Sequence, residues 1–212
     1  MREGRRDMSK LKELEIVLKV IKKTNEIVQE TELDNERIAF FRDEVRKNVF
    51  FLQEELQEQY SETVSKFVVF PLLSYVDEKI MFKYENDSAS FNWTLLQLEY
   101  YHRKDGGEYV FEIIDSLLSD EIYPSICYKT MYFILNEGFL GQYYDNKFDR
   151  VFLSYMKKIS LVVNKNDYDT SKFYDANNTQ RPKKGPNFFK KSALKLCIPL
   201  VLFGVSLLYF VY

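Results

Sequence analysis

The chain has 212 residues and a formal charge of −2, enough for one domain with a short appendage. Six basic residues and no acid fall between 181 and 212, so residues 1 to 180 carry −8. An acidic body of that kind excludes a nucleic-acid partner, which needs the opposite sign. Only seven glycines and five prolines occur, with no glycine from residue 5 to 105, which favours long helices over strands joined by tight turns.

The start "MREGRRDMSKLKELE" is basic but lacks an apolar core, so it is no secretory signal, whether Met1 or Met8 begins the protein. Leu11, Leu14, Leu18 and Ile21 predict a first helix over 8–31. Asp34 can cap a second, in which Ile38, Phe41, Val45, Val49, Leu52 and Leu56 form a narrow apolar stripe opposite a charged face. Ser61 starts a third, apolar nearly all round from Phe67 to Val76, which belongs at the centre of a bundle; Pro71 should kink it. "ENDSAS" is a loop, and a short helix with the only tryptophan, Trp93, is expected over 91–102.

"KDGG" breaks that helix, and "EYVFEIIDSLLSD" resumes one with Phe111, Ile114 and Leu118 inward. Another is expected over 122–136, with Pro124 in its first turn. "EGFLGQYYD" reads as a compact turn with two glycines, and a last helix over 146–163 places Phe148, Phe152, Tyr155, Ile159 and Val162 inward. Residues 164–189 lose periodicity and read as a flexible basic juxtamembrane stem. About 25 residues of coil reach on the order of 28 Å.

The final stretch, 190–212, is "KKSALKLCIPLVLFGVSLLYFVY". From Leu196 to Tyr212 it has no charge, and a helix of ~20 residues spans a bilayer core. Its Leu, Ile, Val and Phe together favour insertion by about 4 to 7 kcal/mol. Lys190, Lys191 and Lys195 fall at the interface, where Lys195 can lift its ammonium to water. The basic flank keeps the preceding residues cytoplasmic. The chain therefore reads as tail-anchored, with a cytoplasmic domain over 1–163 and a single C-terminal transmembrane helix. Cys127 and Cys197 are too separated to pair, in keeping with a reducing cytoplasm.

The signatures of catalysis are missing. There is one histidine, His102, best read as a helix-end residue satisfied by backbone, and neither cysteine nor carboxylate spacing fits a metal site. Phosphate loops and nucleophile elbows do not occur. No cofactor, metal or enzymatic activity is expected. One polar feature stands out: Asp77 and Glu78 near the end of the most apolar helix. Adjacent helical residues point ~100° apart, so the two cannot face one metal or proton. On spacing alone the pair is a solvated helix end.

The middle of the chain resembles the TssL/DotU (IcmH) family of bacterial secretion systems. The motifs "LLSYVDEKIM", Trp93, "LEYYHRKDGGEYVFEIIDSLLSD" and "NEGFLGQYYD" follow that family's order over about residues 60 to 145. Gln142 stands where a basic residue is usual, and no peptidoglycan-binding extension is expected beyond Tyr212. The resemblance implies an all-α cytoplasmic domain of two small bundles with a cleft, plus the C-terminal transmembrane helix. It implies a structural role in the inner membrane, beside a TssM/IcmF-like protein and recruiting the baseplate through a TssK-like one. A homodimer is compatible with it. It maps the acidic pair onto Asp77 and Glu78, which would line a partner-binding cleft and be dispensable for folding. Gly138 and Gly141 would permit a tight turn that Phe139 and Tyr143 lock onto the bundle, while Gly106 and Gly107 would end one helix and let the next, bearing Phe111, begin. Two other readings share the helices and the anchor: a regulator holding a partner's amphipathic helix in a groove, and a membrane-tethered enzyme.

Overall fold

Asp34 opens the second helix as its spacing requires, its carboxylate accepting from the Arg37 backbone N–H at 2.7 Å. A computed structural model describes residues 2–31, 33–87, 92–120 and 122–175, without the side chains of 2–10, 84–87 and 166–175. The described residues are all-helical: α1 (Arg2–Gln29), α2 (Asn35–Gln57), α3 (Glu62–Asp87), α4 (Leu96–Tyr101), α5 (Gly106–Asp120), α6 (Ser125–Asn136) and α7 (Arg150–Asp175), with a 3-10 turn at Gly141–Tyr143. The chain divides into units Met1–Ser171 and Lys172–Tyr212, the second described only to Asp175. No helix among the described residues is long and apolar enough to cross a membrane. The expected span 190–212, with Lys190, Lys191 and Lys195, lies outside them.

The central helix is the one expected. Helix α3 packs against α1, α2, α4, α5 and α6, and Val68, Val69, Phe70, Leu72, Leu73, Tyr75 and Val76 are fully buried along it. A helix apolar on every side has no face for water, so it gathers the others around it. The six apolar residues of α2 are all buried as the spacing predicts.

Five expectations are corrected. The inward face of α1 is Val17, Val20, Ile21 and Ile27, while Leu11 is 68% exposed. That face also carries the buried polar residues Glu13 and Thr24, and a count of leucines passes over them. Helix α4 starts five residues later than expected, at Leu96, with 92–95 non-helical. Pro124 is the residue before α6, with ψ 150°, rather than part of its first turn. Phe148 is 73% exposed, since α7 begins at Arg150 and leaves it in the preceding loop. Helix α7 also runs to Asp175, twelve residues past the expected end, in a stretch without Pro or Gly.

Phe152 is 3% exposed against Phe148's 73%, so the two should separate in urea unfolding of the detergent-solubilised chain. Phe152→Ala is expected to cost about 3 to 5 kcal/mol, and Phe148→Ala less than about 0.5 kcal/mol.

Candidate functional site

Residues Leu96 and Gln97 open α4 with no side-chain cap of their own, Leu95 standing at the cap position. Their N–H groups are taken instead by Asp77 of α3, at 2.8 and 2.9 Å. The Trp93 indole N–H donates to the same carboxylate at 2.9 Å. One residue on, Glu78 does the same for the 3-10 turn: its two oxygens accept from the Leu140 N–H at 2.8 Å and the Gly141 N–H at 2.7 Å. Helix starts leave N–H groups unpaired and carry partial positive charge, so a carboxylate satisfies both needs. The ~100° between neighbouring helical side chains sends the two carboxylates to two different segments. Lys79 extends the grip, its ammonium donating to the Gly138 carbonyl at 3.3 Å.

The pair is thus not a solvated helix end. Asp77 is 1% exposed and Glu78 is half-buried. Burial pushes both carboxyls above their ordinary range; the N–H groups of Gln97 and Leu96 and the Trp93 indole pull Asp77 back, and those of Leu140 and Gly141 pull Glu78 back. Removing the pair would strand five donors, so it is expected to matter for folding as well.

The other motif residues join the same cluster. The Gln97 side-chain oxygen accepts from the Gly106 N–H at 2.7 Å. Gly106 and Gly107 are the first residues of α5 and do not end α4, which closes on His102 in the left-handed region at φ 54°. A Cβ at Gly106 would lie 2.5 Å from both the Gln97 and the Ser74 side-chain oxygens. Gly141 has φ +51°, and a Cβ there would lie 2.5 Å from the Gly107 carbonyl oxygen. Glycine is required there for conformation and for space. Gly138 also takes a positive φ, of 85°. Phe139 is 1% exposed and stacks on Phe111 at 6.2 Å, and Tyr143 meets Phe111 edge-on at 4.9 Å. Phe152 and Tyr155 of α7 close on the same ring, at 6.3 and 5.4 Å.

The sequence therefore pointed to Asp77, Glu78, Trp93, Gly106, Gly107, Phe111, Gly138, Phe139, Gly141 and Tyr143, and the structure links them in one cluster. It missed Gln97 and Arg42. Gln97 is signalled only as a polar residue in the apolar run "TLLQL". Arg42 of α2 lies over the Trp93 ring at 4.8 Å and donates to the Thr94 carbonyl and Glu99; nothing in the sequence signals this. Among the described residues no His, Cys, Asp and Glu group is arranged to hold a metal.

Comparison with known proteins supplies the class of this helical domain, a secretion-system component. The family described as Type VI secretion system protein DotU matches residues 17–212. The solved structure of DotU from Francisella novicida is 55% identical, with a TM-score of 0.70, and the match covers 73% of this chain and 99% of that one. SciP/TssL of the type VI secretion system from enteroaggregative Escherichia coli 042 shares the fold at 16% identity, with a TM-score of 0.53 and coverage of 87% and 97%. No curated protein matches. The chain belongs to the TssL/DotU family of type VI secretion system proteins.

Removing the Asp77 carboxylate strands three donors, two of them buried backbone amides, so Asp77→Ala should cost about 3 kcal/mol or more in urea unfolding. Gly141→Ala should be comparably damaging, because it combines an unfavourable φ with a backbone clash. The raised carboxyl of Asp77 binds its proton more tightly in the folded than in the unfolded state. Its share of stability is then complete below the ordinary carboxylate value of about 4 and is lost as the pH rises through the folded value. Asp77→Asn, which cannot titrate, should flatten that fall relative to the natural chain.

Proposed function

We propose that the protein is a structural scaffold of the inner-membrane complex of a type VI secretion system, docking the cytoplasmic baseplate to that complex. The observation that carries this reading is the family match, which runs from Val17 through the apolar C-terminal stretch to Tyr212. In this reading residues 1–163 form the cytoplasmic domain, as two small bundles with a cleft. Residues 164–189, helical at their start, connect it to a membrane span over 190–212 whose near interface is marked by Lys190, Lys191 and Lys195. The partners are a TssM/IcmF-like inner-membrane protein and a TssK-like baseplate protein. The reading assigns the chain no enzymatic activity.

Asp77 and Glu78 serve docking through the segments they hold. Both carboxylates are occupied by the chain's own N–H groups, so what they offer a partner is the fixed position of residues 92–95 and 138–144. Tyr144 is half-exposed there and meets the equally exposed Phe82 edge-on at 6.0 Å. Rigidly held loops bind with less ordering cost than mobile ones.

Tagged full-length protein, purified from its native membranes beside a version ending at Asn164, tests the reading by mass spectrometry of what comes with it. Recovery of a TssM-like membrane protein and baseplate components, reduced on loss of the C-terminal segment, is the expected result. Recovery of neither overturns the scaffold.

A further inference from the structure

Helix α7 has a second face that the core does not use. Phe152, Ile159 and Val163 are buried and fall within an arc of about 40° at helical spacing. On the opposite side Arg150, Lys157, Leu161 and Lys165 fall within about 80° of one another, with Lys158 at the edge. All five are exposed. No acid occurs between Asp149 and Asp167, whereas the body of the chain is acidic. Among the described residues Arg150, Lys157 and Lys158 make no ion pair. Leu161, 60% exposed, lies within that arc, and Val151 and Leu153, 52% and 46% exposed, flank it on its two sides.

We infer that this face of α7 lies against an anionic lipid surface. A basic face holding one exposed aliphatic residue and flanked by two more is chemistry suited to a membrane interface: the ammonium and guanidinium groups meet phosphate head groups, and the aliphatic side chains reach toward the acyl boundary. A body of charge −8 is repelled by such a surface, and only a locally positive face can approach within a Debye length, ~8 Å at physiological salt. The chain beyond points the same way. Six more basic residues and then an uncharged run of seventeen follow in the sequence from 181. The inference goes beyond the scaffold reading, because it assigns the side of the domain that meets lipid and so the side left free for partners.

The test uses the full chain carrying Cys197→Ser and Leu161→Cys, labelled with an environment-sensitive fluorophore. Cys127 is buried and its thiol is pushed up to about 12, so it does not compete for the label. The protein is reconstituted into vesicles of phosphatidylcholine alone or with phosphatidylglycerol. In the anionic vesicles the probe should shift to the blue and resist aqueous iodide; high salt should reverse both effects. Lys157→Glu with Lys158→Glu should weaken the contact by tenfold or more without altering the thermal unfolding curve. A probe at the outward Phe40 of α2, which is 60% exposed, should not respond. A probe at 161 that stays equally wet in both lipids, or one indifferent to the double charge reversal, overturns the inference. Alkaline carbonate extraction reports the C-terminal anchor separately. If carbonate strips the chain, the anchor reading fails alone, and salt-sensitive sedimentation with the anionic vesicles still decides the α7 contact.

Discussion

Two consecutive carboxylates on the central helix hold this protein's surface together. Asp77 and Glu78 differ by one position, so they leave α3 about 100° apart and cap two separate segments, the start of α4 and the 138–141 turn. Burying a carboxylate is costly unless donors surround it. Here five N–H groups supply the compensation, and four are backbone amides at the starts of helical segments, where the peptide dipoles favour negative charge. Capping is usually local, from a residue immediately before the helix. In this fold the cap comes from 19 and 62 residues upstream, so neither segment is properly started until the tertiary fold has formed.

The capped segments are then fixed to one another. Gln97 reaches from α4 to the first N–H of α5, and Gly141 packs its backbone on Gly107, so α5 is held between the two capped pieces. Phe111, one turn further along α5, is the hub on which Phe139, Tyr143, Phe152 and Tyr155 converge. Through it the position of α7 depends on the turn that Glu78 holds. The scaffold role proposed above would need this kind of rigidity more than a pocket. The acidic pair is better understood as the origin of that rigidity than as a contact surface in its own right.

Helix α7 links the domain to the C-terminal part of the chain and has a use for both its faces. The inward one rests on the Phe111 cluster, and the outward one concentrates positive charge on an otherwise acidic body. If lipid occupies that outward face, the domain is oriented by its own last helix as well as tethered, and the loops around Trp93 and Tyr144 keep a defined presentation.

The sequence by itself determined the helices, the central place of α3 and the stripe of α2, because uninterrupted apolar periodicity has few other outcomes. It marked Asp77 and Glu78 as unusual, since two acids within an apolar helix conflict with their surroundings. It could not show what resolved the conflict, because the partners are backbone N–H groups that carry no residue-specific signal. The same reason hid the late start of α4, whose cap is a distant residue, and the roles of Gln97 and Arg42. It misplaced Phe148, which the late start of α7 leaves in a loop, and the inward face of α1, where apolar residues lie on both sides and only the neighbours decide which is covered. Local order was written along the chain; the tertiary structure decided which distant groups would satisfy the ends of each helix, because a terminal N–H pairs by geometry rather than by residue type.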